Sequence, residues 1–399
     1  MIGFVIRLVA AGLIAVCLFL AGVLVGGHPV AAGITNLPDP IRGVLIGEAE
    51  GNLTSEVLRI LDDEYYREID ADELDITSVD QVIESLEDPF TDYLTEQEYR
   101  ELKDRNEGRY TGVGLQVSLE NDEVVITKVF EGSPAEDGGV KAGDRIVKVD
   151  GVAVDPEALD ATVGSIRGPE GSTVTLTLKR ADREPFDVEL RRARIAIQLT
   201  AGEIVDVGGT KVGYLSLRQF ARGAGDAVRE DIERLVGEDA SALVLDLRGN
   251  PGGLVTETVE VSGVFLEKGT TVVATEGRSV KDKILTTNDD PVTEELPLVV
   301  LVDADSASAS EIVAGALRDA RRASLVGHRT FGKALVQGTR ELRDGGALKL
   351  TIARYRTPSG QDINRKGLEP GVRVVDDLTT ANVDEALRRA LAISAEKVG

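Results

Sequence analysis

Apolar positions change their spacing along the chain. Leu53, Val57, Ile60 and Leu61, then Val79, Val82, Ile83 and Leu86, recur every three or four residues and predict amphipathic helices. Asp88-Pro89 breaks that pattern, and Thr95-Glu96-Gln97-Glu98 has the spacing of a capping box at the start of a further helix. From 106 to 192 the texture becomes short β-runs with glycine turns: Val124-Val125-Ile126, Ile146 to Val149 and Val174 to Leu178. Beyond Arg194, buried strands alternate with helices. Val212 to Leu217, Ala242 to Leu247, Leu298 to Val302 and Leu348 to Ala353 read as strands. Gly225 to Val236, Thr256 to Leu266 and Ser310 to Ala320 read as helices, so an α/β core is expected.

Ahead of these elements lies an apolar run, Leu8 to Gly27, with no charged residue between Arg7 and Asp39. About 20 apolar residues can cross a bilayer, and Val30-Ala31-Ala32 offers small residues for signal cleavage. Residues 1–27 are therefore expected to be a signal or membrane anchor, making the protein exported: anchored facing the extracytoplasmic side, or periplasmic or secreted if the segment is cleaved. Residues 28–105 form an acidic helical arm. Between Asn36 and Arg105 there are 21 acidic and 6 basic residues, against a net charge of -24 for all 399 residues. The arm's expected roles are packing against the main body and dimerisation.

That acidity argues against nucleic-acid binding. One cysteine, Cys17, and two histidines, His28 and His328, exclude an intrachain disulfide and a zinc site of four cysteines or paired cysteines and histidines. No metal or cofactor is expected.

Within 106–192, Glu131-Gly132-Ser133-Pro134-Ala135, Gly139, Ala142-Gly143-Asp144-Arg145-Ile146 and Val149-Asp150-Gly151 follow Tyr110-Thr111-Gly112-Val113-Gly114-Leu115. This ordered string resembles a PDZ domain of the kind found in bacterial exported proteases. Gly112 and Gly114 let backbone N–H groups converge on a terminal carboxylate, and the following strand can take a peptide by strand addition. Tyr110, Gly112, Val113, Gly114 and Leu115 are the expected peptide-binding residues.

Three segments of the region 193–399 carry candidate chemistry. Asp246-Leu247-Arg248-Gly249-Asn250-Pro251-Gly252-Gly253 is a glycine-rich turn between a strand and a helix, where N–H groups can face an anion. Ser306-Ala307-Ser308-Ala309-Ser310-Glu311 also joins a strand to a helix. Ser308-x-x-Glu311 fits a capping box, yet such a turn is also where hydrolases hold nucleophiles. Thr330-Phe331-Gly332-Lys333-Ala334-Leu335-Val336-Gln337 puts a lysine in apolar surroundings, where desolvation favours the neutral amine that a general base requires.

In this order, after a PDZ-like region, the three segments resemble the C-terminal processing (tail-specific) serine proteases, from Asp88-Pro89-Phe90-Thr91 to Thr357-Pro358-Ser359-Gly360. The resemblance implies a multidomain α/β chain whose core has a β-spiral fold like those of the crotonases and Clp proteases. It implies a Ser–Lys dyad, with Ser308 the nucleophile, Lys333 the base and Gln337 orienting the lysine. Ala309 and the Gly252-Gly253 turn match the oxyanion hole, and Asp319 matches an acidic position linked to activity. Substrates would be protein and peptide C-termini; a homodimer and an adaptor or activating protein remain open. Arg167, in Ser165-Ile166-Arg167-Gly168-Pro169-Glu170-Gly171, resembles an arginine that contacts the protease core when peptide is bound, a gating role. Two positions depart from the family: Ala334 stands where glycine is usual, and His328 where glutamate is common. The competing reading is an inactive PDZ scaffold on a protease-like frame; a hydrolase using His328 as base is a minor one because Gly-x-Ser-x-Gly is absent, and Ser394-x-x-Lys397 is set aside because fraying is expected at the C-terminus.

Overall fold

The computed structural model describes residues 53–69, 78–181, 183–374 and 384–398. Among these no helix is long and apolar enough to cross a membrane, and the segment 1–27 lies outside them. The chain divides into two units. One holds the residues up to Tyr99 with Gly277–Val280 and Gln337–Ala353; the other holds Arg100–Glu276, Lys281–Val336 and Arg354–Gly399.

In the first unit, the helix at 53–64 turns Val57 and Leu61 inward, as their four-residue spacing requires, onto Val82, Leu348 and Leu350. The helix Val79–Ser85 is capped by Ser78, whose side chain accepts the Gln81 N–H. After it, Asp88 is buried and gathers the Tyr65 hydroxyl (3.0 Å), the Thr91 and Thr351 hydroxyls (both 2.8 Å) and the Phe90 N–H (3.1 Å). Burial alone would raise its pKa, but these donors hold the carboxyl below its usual range. The strand Asp92–Leu94 then pairs antiparallel with Ala347–Lys349. Thr95 and Glu98 form the expected capping box at the helix Glu96–Asn106.

The second unit opens with a ribbon, Arg109–Gly112 paired antiparallel with Ala193–Ala196, which brackets a β-domain. That domain is a six-stranded sheet in the order Leu115–Glu120, Glu123–Val129, Arg145–Val149, Thr173–Lys179, Phe186–Arg191, with Val152–Ala153 pairing onto Arg145–Val149. Leu115–Glu120 is an edge strand, and Ile166 of the helix Leu159–Ile166 joins the domain's core.

The α/β region is a second six-stranded sheet: Thr200–Val207, Thr210–Leu217, Ala242–Asp246, Leu298–Val302, Ala323–Gly327, Val372–Arg373. The first pair is antiparallel and the others parallel. Alternate residues face opposite sides and both sides are covered, which is why these strands read as unbroken apolar runs. Leu243, Leu298 and Val300 meet residues of the helices Ala224–Gly237, Val255–Gly263 and Ala309–Asp319. Val244, Val299 and Leu301 meet the helix Glu385–Glu396. The turns after two neighbouring parallel strands, Ala242–Asp246 and Leu298–Val302, carry the glycine-rich motif and Ser308. This is the carboxyl end of the sheet, where α/β folds place ligands.

Candidate active site

Ser308 begins the helix Ala309–Asp319 with φ 54° and ψ −111°, a left-handed backbone that a side chain other than glycine adopts only under constraint. The constraint is on both sides of the residue. Its N–H donates to the Glu311 carboxylate at 3.0 Å, and its carbonyl accepts the Tyr355 hydroxyl at 3.0 Å. Ser308 stays partly exposed while Ala307 and Ala309 are buried.

The same two groups hold Lys333. Its N–H donates to Glu311 at 2.8 Å, and its carbonyl accepts from Tyr355 at 2.6 Å. Glu311 is fully buried and also accepts the Gly332 N–H (2.8 Å) and the Thr330 hydroxyl (2.5 Å). Burial pushes its carboxyl pKa up, against the pull of these four donors. A carboxylate has about four lone-pair sites, so this one is filled. The structure thus brings the backbones of Ser308 and Lys333 to one carboxylate and one phenol. Lys333 is itself half-buried, between buried Gly332 and Ala334. Ala334 has no left-handed backbone, so alanine in place of the family's usual glycine strains nothing there.

In the glycine-rich turn the Gly252 N–H donates to Asn250 Oδ1 at 2.9 Å. Asn250 is fully buried; its amide donates to the Leu217 carbonyl (2.8 Å), and its own carbonyl accepts the Ala307 N–H (3.1 Å) and Ser310 hydroxyl (2.8 Å). It therefore stitches the glycine turn to the serine turn. What Gly252 contributes is room: a Cβ there would lie 2.7 Å from the Ala307 oxygen and 2.8 Å from the Ala309 nitrogen. Among the described residues no protein group accepts the Gly253 or Ala309 N–H.

Gln337 is on the strand Leu335–Glu341, and its amide donates to the Phe90 carbonyl, next to the Asp88 hub. Asp319 ends the eleven-residue helix that Ser308 begins, about 15 Å along it at 1.5 Å per residue. It accepts the Ser359 N–H (2.9 Å) and the Arg318 guanidinium (2.7 Å), and so anchors the turn at Thr357-Pro358-Ser359-Gly360. The ring of His328 meets the neighbouring Arg329 carbonyl at 3.1 Å. Ser394 is buried within the C-terminal helix, its hydroxyl on the Leu391 carbonyl. Among the described residues no cluster of His, Cys, Asp or Glu is placed to hold a metal ion.

In the β-domain, Tyr110, Gly112, Val113, Gly114 and Leu115 line one groove of about 190 Å³, between the edge strand and Val163 and Ile166 of the helix Leu159–Ile166. Arg167 lines it too, where the sequence assigned it to gating. Among the described residues the buried Tyr110 hydroxyl has no hydrogen-bond partner, and burial pushes its pKa up to about 12, against the pull of Arg167. The groove is mostly apolar, with polar groups in Tyr110, Gln116 and Arg167. At Gly114 a Cβ would collide with Ser133 Cβ at 2.1 Å, so this turn requires glycine.

Sequence reasoning missed Glu311 as more than a cap, and missed Tyr355 and Asn250 altogether. Asn250-Pro251-Gly252 did carry a signal, since asparagine commonly bonds the N–H two residues on.

The chain is similar to known proteins. A profile of peptidase family S41 matches residues 211–374, and one of the PDZ domain matches 125–180. The "Probable CtpA-like serine protease" of Staphylococcus aureus (strain MSSA476) is 35% identical over 328 residues, covering 82% of this chain and 65% of its own length. The chain therefore spans just under two thirds of that relative. The protein of the same description from Staphylococcus haemolyticus (strain JCSC1435) is 33% identical over 361 residues, 90% of this chain and 72% of its own. Among solved structures, the photosystem II D1 C-terminal processing protease superposes with a TM-score of 0.54 at 29% identity, covering 87% of this chain and 98% of that one.

Proposed function

The chain belongs to peptidase family S41 and carries a PDZ domain, and we propose that it is an exported serine endopeptidase that takes protein C-termini in the PDZ groove and cleaves peptide bonds with a Ser308–Lys333 dyad. The observation that carries this reading is the shared grip of Glu311 and Tyr355 on Ser308 and Lys333, with Ser308 held in a strained turn at a helix N-terminus.

The chemistry follows from that arrangement. Neutral Lys333 takes the hydroxyl proton as Ser308 Oγ attacks the scissile carbonyl. Charge collects on the carbonyl oxygen, and the Ala309 and Gly253 N–H groups are the donors left to meet it. The Lys333 ammonium then returns its proton to the departing amine, leaving an acyl-Ser308 ester. Water, deprotonated by the same lysine, hydrolyses that ester and frees Ser308. Gln337 and the Asp88 turn support the strand that follows the base. Export rests on the apolar run Leu8 to Gly27.

The test is turnover of an unstructured peptide with a free C-terminus. Ser308→Ala and Lys333→Arg should both fold and both be inactive, since arginine keeps the charge but cannot serve as a base. Wild-type-like turnover in Lys333→Arg would remove the lysine from the mechanism. Peptide binding with no Ser308-dependent cleavage would make the chain a scaffold.

A further inference from the structure

Tyr355 lies on the strand Ala347–Arg356, outside the three motifs that carry the proposed chemistry, and is 2% exposed. A buried tyrosine needs one acceptor for its hydroxyl. This one has two, and they are the carbonyls of Ser308 and Lys333, at 3.0 and 2.6 Å. On the other side of the same residues, Glu311 takes both N–H groups. Each candidate catalytic residue is therefore held at its N–H by one side chain and at its carbonyl by the other. Burial, with the Glu311 charge, pushes the Tyr355 pKa well above the usual tyrosine range, so the phenol keeps its proton to donate. Its single hydrogen is shared between two carbonyls, which couples the position of the serine turn to that of the lysine segment.

We propose that Tyr355 is a positioning residue of the dyad, its hydroxyl setting the spacing of Ser308 and Lys333 by bridging their carbonyls. This rests on the dyad reading above. Besides Glu311, the Phe331 N–H joins the two segments at the Ser306 carbonyl (3.1 Å), two residues ahead of Lys333 and Ser308, and the hydroxyl adds a bridge at the two residues themselves. Small misplacements of reacting groups cost rate steeply, while contacts with the rest of the substrate are untouched. The effect therefore belongs in kcat and not in KM.

Tyr355→Phe keeps the ring and its packing and removes only the bridge. Turnover is measured per active site, with sites counted by exhaustive fluorophosphonate labelling, so that a misfolded fraction does not enter. The expected result is a fall in kcat of about tenfold or more, with KM and PDZ peptide affinity unchanged. Glu311→Gln, which turns an amide NH₂ toward N–H donors, should lose at least as much. Wild-type kcat in Tyr355→Phe overturns the proposal, as does a loss carried by KM alone or one that vanishes on counting sites. A wild-type protein without Ser308-dependent turnover would instead overturn the dyad reading.

Discussion

Replacing Gly252 by alanine separates the geometry of the glycine turn from its mere presence. The new Cβ would lie 2.7 Å from the Ala307 oxygen, 2.8 Å from the Ala309 nitrogen and 2.9 Å from Ser308 Cβ, where ordinary contact begins at 3.4 Å. The gap to open is therefore 3.4 − 2.7 = 0.7 Å. None of these atoms is the end of a flexible side chain. The serine turn is fastened through Ala307 N–H and Ser310 Oγ to the Asn250 carbonyl, and the glycine turn through the Gly252 carbonyl to the Phe220 N–H at 3.0 Å. The backbone at φ +99° adds strain of about 1–3 kcal/mol for alanine, and overpacking adds about 1–3 kcal/mol more. Relief comes most directly by pushing away the Ser308–Ala309 peptide, which carries the proposed nucleophile and a proposed oxyanion donor. A displacement near 1 Å costs about a hundredfold in rate. Gly249→Ala in the same turn is the control, because its φ is +64° and nothing lies within 4 Å of its Cβ. It should lose stability from backbone strain yet keep its kcat. The assay is kcat on an unstructured peptide together with thermal unfolding of both variants. A Gly252→Ala enzyme within about threefold of wild-type kcat, or a Gly249→Ala enzyme equally impaired, would refute the steric argument.

Two further outcomes follow. Arg167 lines the PDZ groove beside Tyr110, so Arg167→Ala should weaken binding of free-acid peptides about tenfold and of amidated peptides much less, as fluorescence anisotropy would read; equal loss for both would place Arg167 away from the carboxylate. Asp88 has its folded-state pKa held below the usual carboxylate value, so its contribution to stability is complete above about 3.9 and is lost as pH falls through the lower folded value. Asp88→Asn should therefore melt below wild type at pH 7, and the two melting temperatures should converge in acid beneath that window; a constant difference at all pH values would mean that the loss is one of shape and not of charge.

Much of the fold was legible because it is local. The strands read as apolar runs since both faces of the α/β sheet are covered, and Leu298–Val302 agrees residue for residue with the expectation. The helix expected over Ser310 to Ala320 runs Ala309–Asp319. What could not be read joins distant parts of the chain. Glu311 was visible as a partner for Ser308, three residues away, but its bonds to Thr330, Gly332 and Lys333 depend on two loops meeting at the sheet's carboxyl end. Tyr355 looked like one more residue of a buried strand. Asp319 matched a position linked to activity, and the structure gives it a turn to hold at the far end of the helix from Ser308.

The hardest choice, whether Ser308 is a helix cap or a nucleophile, turns on a quantity that residue types do not encode. Two other serines of this chain cap helices in the ordinary way. Ser78 has φ −139° and ψ 159°, Ser133 has φ −94° and ψ 156°, and each accepts an N–H of the first turn on its side chain. Both sit in the extended region where a cap costs nothing. Ser308 has the same kind of sequence around it, including the glutamate three residues on, but its φ is 54° and its ψ −111°. A cap alone gives no reason to bear the roughly 1–3 kcal/mol of that backbone. The strain is held in place by Glu311 below and Tyr355 above, residues that also hold Lys333. Capping and the proposed catalytic role are thus not alternatives here. The glutamate of the capping box is the group that fixes the serine in its strained turn, and through its other oxygen contacts it brings the lysine segment to the same place.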